Sequence, residues 1–140
     1  MKIFESDKTL AFLDIGPLSK GHSVGRFPAC HALSSALEQP LTSGIQLIIP
    51  KHHGAKLHDI PDDQLSEVLS VTKRIALAQN IHDYNILQNN GRIAHQEVDH
   101  VHFHLIPKPN EKEGLGIGWP AKPADKSELT KLLEEIKSKM

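Results

Sequence analysis

The sequence predicts an α+β domain, an antiparallel sheet beside one long helix with a second helix closing the chain, and three observations carry that prediction. Several short apolar runs bounded by turn residues read as strands, one longer stretch keeps a 3.6-residue apolar period, and most connections between strands are short enough for antiparallel pairing. At 140 residues, with 39% hydrophobic and 24% charged content, the chain can bury one real core without disulfide staples.

The elements follow in order. Thr9-Leu10-Ala11-Phe12-Leu13-Asp14-Ile15 reads as a strand running to an acid, with Gly16-Pro17 and Lys20-Gly21-His22 as turn material after it. Gln46-Leu47-Ile48-Ile49 is a second strand, stopped by Pro50. Pro61-Asp62-Asp63 opens a helix through about Asn80, because proline and acids suit a first turn and Leu65, Val68, Leu69, Thr72, Ile75 and Ala76 keep the helical period as its buried stripe. Tyr84-Asn85-Ile86-Leu87-Gln88 is a strand leading into the Asn89-Asn90-Gly91 turn, and a polar loop joins it to a histidine-rich strand. Residues 114–123, with three glycines and two prolines, are irregular. A last helix begins near Asp125-Lys126-Ser127-Glu128, whose acid-x-x-Glu pattern resembles a capping box, with Leu129, Leu132, Leu133 and Ile136 as its buried stripe.

Charge and cysteine content narrow the function classes. A formal net charge of −1 gives no global attraction to nucleic acid or acidic lipid, and no apolar run approaches the roughly 20 residues of a membrane span. No nucleic-acid or membrane partner is expected. Cys30 is the only cysteine, so no disulfide framework or C-x-x-C pair exists, and Met1-Lys2-Ile3-Phe4-Glu5 is not a secretory signal. A cytoplasmic or nuclear protein is the expectation.

The chemistry concentrates in His100-Val101-His102-Phe103-His104-Leu105-Ile106. Side chains alternate across a strand, so this run places three imidazoles on one face and Val101, Phe103 and Leu105 on the other. Alternate residues lie roughly 7 Å apart, a groove about as long as a phosphate and its leaving group. Ten histidines is an excess, and six of them fall at His52, His53, His95, His100, His102 and His104. Four readings compete on residues alone. Core histidines would have to bury several polar groups together; a zinc site would need Glu97 or His53 as a distant ligand. A non-catalytic ligand groove is the third. The fourth is nucleophilic attack on phosphorus by a neutral imidazole, with His102 attacking, its ring oriented through its other nitrogen, and His104 and an amide-rich loop (Asn89, Gly91, Gln96) holding the phosphate oxygens.

The run and its context resemble the histidine triad (HIT) family. Phe12-Leu13-Asp14-Ile15, Gly21-His22, Ile48-Ile49-Pro50-Lys51-His52-His53, Leu87-Gln88-Asn89-Asn90-Gly91, His95-Gln96-Glu97-Val98 and Gly118-Trp119-Pro120 fall in family order over about 115 residues, and the likeness is greatest to the Hint branch of purine nucleoside phosphoramidases and to its fungal members. The resemblance implies a compact α+β fold that dimerises by joining sheets, and hydrolysis of the P–N bond of a purine nucleoside 5′-phosphoramidate, releasing AMP or GMP and an amine without metal or cofactor. It implies that His102 is the nucleophile, His100 orients it, and His104 and Asn89 contact the α-phosphate. His53 matches the family's fourth histidine, Asp14 the acid that binds the ribose hydroxyls, with Phe12 and Ile15 beside the base, and Trp119 a residue that reaches toward the partner's active site. A nucleotide-binding regulator without useful turnover, a dinucleoside polyphosphate hydrolase and a nucleotidyl transferase are the rivals.

Three features depart from the family pattern. Glu97 stands where many Hint proteins have serine near the leaving group, and its charge would favour a cationic amine and repel an acidic group. The chain starts without the usual N-terminal segment, which leaves the base side more open. Residues 24–46 separate Ser23 from Leu47, where the family runs almost directly from the Gly-His turn into the Ile-Pro-Lys strand. This stretch is atypical within an otherwise single domain spanning residues 1–140, and it has two readings. It is a translated, unspliced intron, since Val24-Gly25 can be encoded GTA-GGT and Gln46 CAG, or it is a surface loop, tolerated where chain ends already lie close.

Overall fold

A computed structural model describes residues 1–14, 44–116, 118 and 123–140. Five strands, β1 (Lys2–Glu5), β2 (Thr9–Leu13), β3 (Gln46–Pro50), β4 (Tyr84–Gln88) and β5 (Phe103–Pro107), form one sheet in the order β1-β2-β3-β5-β4 with every neighbouring pair antiparallel. Helix α1 (Asp62–Ala78) crosses between β3 and β4, and helix α2 (Lys126–Lys139) comes last. The α+β class, the antiparallel sheet and the two helices are as the sequence predicts. Among the described residues, no helix is long and apolar enough to cross a membrane.

One face of the sheet packs on α1. Ala11, Ile48, Val101, Phe103 and Leu105 from the sheet side meet Val68, Val71, Ile75 and Ala76 from the helix. The alternation predicted for the histidine run therefore holds, with its apolar members in the core. The strand itself begins later than expected, at Phe103. The stretch before it bonds elsewhere: the Val101 amide donates to the Gly54 carbonyl at 2.8 Å, outside any ladder.

Two further expectations are corrected, and one element was not expected at all. Leu69 is 52% exposed and Val71 is buried in its place, because the stripe that faces the sheet runs through Val68, Thr72 and Ile75 and leaves Leu69 roughly a quarter turn from its centre. The stripe of α2 is not buried: the helix has no buried residue, and Leu129, Leu132, Leu133 and Ile136 are all about half exposed. Its start is as read, for the Asp125 carboxylate accepts from the backbone amides of Ser127 and Glu128. The edge strand β1 was not foreseen, since three of its four residues are exposed and give no alternation.

The β1–β2 turn is tied to α1 by Glu67, which accepts from the hydroxyls of Ser6 at 2.9 Å and Thr9 at 2.7 Å. Those two hydroxyls, Thr9 first, hold the Glu67 carboxyl below the usual carboxylate range. Of the atypical stretch 24–46, all but its last three residues lie outside the described residues. Its end is part of the sheet, with Ile45 buried and Gln46 pairing with Leu13 and Leu105 in register.

Candidate active site

The second face of the sheet carries His104, and His53, His100 and His102 lie in the segments that flank its strands. Register places Phe12 of β2, Leu47 of β3, His104 of β5 and Leu87 of β4 in one row. Neighbouring strands lie about 4.8 Å apart, so the Phe12 ring and His104 imidazole are rooted about 10 Å from one another with Leu47 between them. Asp14 follows β2 directly, and its amide donates to the Ile45 carbonyl at 2.9 Å.

Hydrogen bonds assign the protons. His102 Nδ1 lies 2.7 Å from the His100 carbonyl, which can only accept, so Nδ1 carries the proton and Nε2 of a neutral ring keeps its lone pair. The His102 ring is thus in the tautomer whose Nε2 can act as a nucleophile or base. His100 Nε2 lies 2.8 Å from the Pro50 carbonyl and donates to it, so its Nδ1 accepts the proton of His53 Nδ1 at 3.1 Å.

The histidines therefore form two pairs and not one row of three. The rings of His102 and His104 meet edge to face with centroids 5.0 Å apart, while those of His53 and His100 are 5.1 Å apart. The His100 carbonyl meets the His102 ring, while its own ring is turned to Pro50 and His53. The sequence expectation that all three imidazoles line the groove fails for this ring.

His104 is held neutral. Its pKa is pushed down to about 4, first by burial and then by the neighbouring His102, with the Asp14 carboxylate pulling the other way. The Asp14 field thus reaches His104 across the row. Buried His104 Nδ1 has no hydrogen-bond partner among the described residues; a buried N–H without an acceptor is the costlier orphan, so the proton belongs on Nε2 as a donor.

Two loops complete the surround. After β4, Gly91 has φ of 90°, a conformation that side chains resist, and it opens a single helical turn, Arg92–Ala94. Asn89 is half-buried, with its amide donating to the His95 carbonyl at 3.3 Å. Arg92 gathers the approach to the triad. Its guanidinium donates to the Gln96 carbonyl at 3.4 Å and to the Glu97 carbonyl, and it pairs with the Asp99 carboxylate at 2.8 Å. The Glu97 residue itself is exposed. After β3, Gly54 is required by close packing: a Cβ there would lie 2.5 Å from Ile60 Cδ1 and 2.9 Å from Asp59 Cβ.

Gln96 departs from its expected place. It is 2% exposed, and both ends of its amide are bound to backbone groups, Oε1 accepting from Gly91 N and Nε2 donating to the Ala55 carbonyl, each at 2.6 Å. Ile15 and Trp119 lie outside the described residues. Sequence reasoning missed the Pro50 carbonyl and Arg92; the first is signalled by the Pro50-Lys51-His52-His53 run, whereas nothing local marks the second.

The chain's likeness to known proteins agrees with this geometry. The HIT domain model matches residues 23–111. The chain is 48% identical over 139 residues to the adenosine 5′-monophosphoramidase of Saccharomyces cerevisiae, covering 99% of this chain and 73% of that protein. It is 46% identical over 140 residues to the adenosine 5′-monophosphoramidase of Schizosaccharomyces pombe, covering 100% and 88%. The crystal structure of the histidine triad nucleotide-binding protein from Candida albicans matches with a TM-score of 0.76 and 46% identity, over 99% of this chain and 86% of that one.

Proposed function

The chain belongs to the histidine triad family, and on that premise we propose that it hydrolyses the P–N bond of purine nucleoside 5′-phosphoramidates, as a hydrolase of the adenosine 5′-monophosphoramidase type. The observation that carries the mechanism is the His102 Nδ1 contact to the His100 carbonyl, which leaves Nε2 as a free lone pair. Nε2 attacks the α-phosphorus, the P–N bond breaks and the amine leaves as it takes up a proton. Water then attacks the nucleotidyl-His102 phosphorus, the histidine–phosphorus bond breaks and the nucleoside monophosphate departs, with the water's spare proton released. Metal and cofactor have no part in this sequence.

The remaining groups take roles by position. His104, neutral and with its proton on Nε2, donates to a non-bridging phosphate oxygen, and Asn89 supplies a second donor from the neighbouring loop. Asp14 binds the ribose hydroxyls, with Phe12 beside the base on the same row of the sheet. His53 steadies His100, and exposed Glu97 faces the leaving group, where its charge favours an amine carrying a cation. Ile15 and Trp119 keep the base and partner-side roles that the family resemblance gives them. The protein works as a homodimer joined through β4, an edge strand whose Tyr84 and Ile86 are 40% and 47% exposed.

Hydrolysis of adenosine 5′-phosphoramidate by the purified chain tests the reading beside His102→Ala. The parent is expected to turn over, and the folded variant is expected to bind AMP without turning over. A parent that binds AMP but releases no amine overturns the reading in favour of a nucleotide-binding regulator. Faster cleavage of a dinucleoside polyphosphate by the same preparation would assign the chain to that reaction instead.

A further inference from the structure

We infer that Gln96 is a positioning residue that locks three segments of the site into one frame, and that it makes no contact with substrate. The inference rests on the phosphoramidase reading for its kinetic consequence and on geometry for the lock itself. Gln96 is among the largest fully buried side chains of the protein. An amide buried this far must have its donors and acceptor satisfied within the protein, and the two partners also settle which end is which. Only Oε1 can accept from Gly91 N, and only Nε2 can donate to the Ala55 carbonyl.

Those partners belong to segments far apart in sequence. Gly91 lies two residues beyond Asn89, and Ala55 lies two residues beyond His53. The carbonyl of Gly54, next to Ala55, accepts from Val101 between His100 and His102. One side chain thus ties the Asn89 loop to the His53 segment at the point where that segment is already bonded to the triad. The backbone of Gln96 repeats the first tie, its amide donating to the Gly91 carbonyl at 3.1 Å, so the loop from 91 to 96 closes on itself twice.

The loop also carries the seat of Asn89, because the carbonyl that receives the Asn89 amide belongs to His95, adjacent to Gln96. A second bridge between the same loops, Leu57 N to Asn90 Oδ1 at 2.8 Å, is exposed to solvent, where water can replace either partner. Gln96 is the buried bridge. Loss of its amide is therefore expected to misplace Asn89 and His53 relative to His102 while leaving the nucleoside-binding side, Asp14 and Phe12, in place.

The test compares the parent chain with Gln96→Met and Gln96→Glu in adenosine 5′-phosphoramidate hydrolysis, AMP binding by calorimetry and amide exchange at Gly91, all well below each variant's Tm. Methionine keeps the volume and removes both bonds, so kcat is expected to fall about tenfold to a hundredfold, as small misplacements do, with a smaller loss in KM and AMP affinity through the displaced Asn89 and with Gly91 exchange faster. Glutamate keeps the acceptor for Gly91 and loses the donor to Ala55 until it is protonated. Burial raises the pKa of such a carboxyl, so the ratio of Gln96→Glu to parent kcat is expected to climb as pH falls. Parent-like kcat in Gln96→Met overturns the inference, as does a loss confined to KM and AMP affinity, which would make Gln96 a substrate contact. A parent without turnover defeats the functional reading instead, and unchanged Gly91 exchange in both variants would then defeat the lock.

Discussion

Helices α1 and α2 carry apolar stripes of the same spacing, yet α1 buries Val68, Val71, Thr72, Ile75 and Ala76 while α2 buries nothing. A stripe records that one face avoids water. It does not record what covers that face. Helix α1 crosses between two strands of the sheet and is brought onto it by both connections, whereas no residue of α2 is buried against the sheet. The difference teaches that the energetic weight of an apolar residue lies in its neighbours.

Charge placed in the two stripes should break the comparison most sharply. Val68→Asp puts a carboxylate at a position with no exposure, among apolar side chains that offer no partner, and is expected to abolish folding and turnover. Leu132→Asp, at a position 51% exposed, is expected to leave both within error. Circular dichroism and the hydrolysis assay on the two purified chains check the pair, and equal damage in both would show that α2 is covered.

Truncation sharpens the same contrast with one residue type. Ile75 is 6% exposed and Ile136 is 46% exposed. Denaturant unfolding should show Ile75→Ala costing about 2–5 kcal/mol and Ile136→Ala less than about 1 kcal/mol.

Between about pH 6.5 and 4, acid should act on the sheet side through His104. Because His104 is pushed down to about 4 in the fold, the unfolded chain, with an ordinary histidine, binds more protons than the folded one between about pH 6.5 and 4. Stability from keeping His104 neutral is thus complete above about pH 6.5 and is lost as pH falls toward 4. Chemical denaturation across that window should show a slope that His104→Asn flattens, and an unchanged slope would place the titration elsewhere. The smallest effect expected is local: Asp125→Ala removes the cap of α2 at about 1 kcal/mol, which should speed amide exchange at Ser127 and Glu128 without moving the global unfolding midpoint.

Much of the fold was legible because its signals are local. Strand β4 matches its predicted limits, α1 starts beside Pro61 and its acids, and the cap of α2 sits on the predicted aspartate. The misreadings come where local pattern meets a distant constraint. The histidine run alternates as predicted, yet its first three residues are drawn out of the ladder by bonds to Gly54 and Pro50. Strand β1 pairs through its backbone while its side chains stay mostly in water, so no sequence period announces it. At the site, the choice of His102 follows from motif and geometry together, but the same loop held Asn89 and Gln96, two amides that sequence could not tell apart. One is half-buried with its amide on the His95 carbonyl, and the other is buried with its amide held by Gly91 and Ala55.

The sequence by itself determined which members of the histidine run are apolar and core-facing, where the long helix begins and which family the residues resemble, because backbone period and short-range turn chemistry act over a few residues. Only the tertiary structure decided that His100 turns to Pro50 and His53, that Gln96 is a strut, that His104 is neutral and that α2 stands uncovered. Each of those depends on burial and on partners tens of residues away, and they are set by strand register and close packing, which no local pattern encodes.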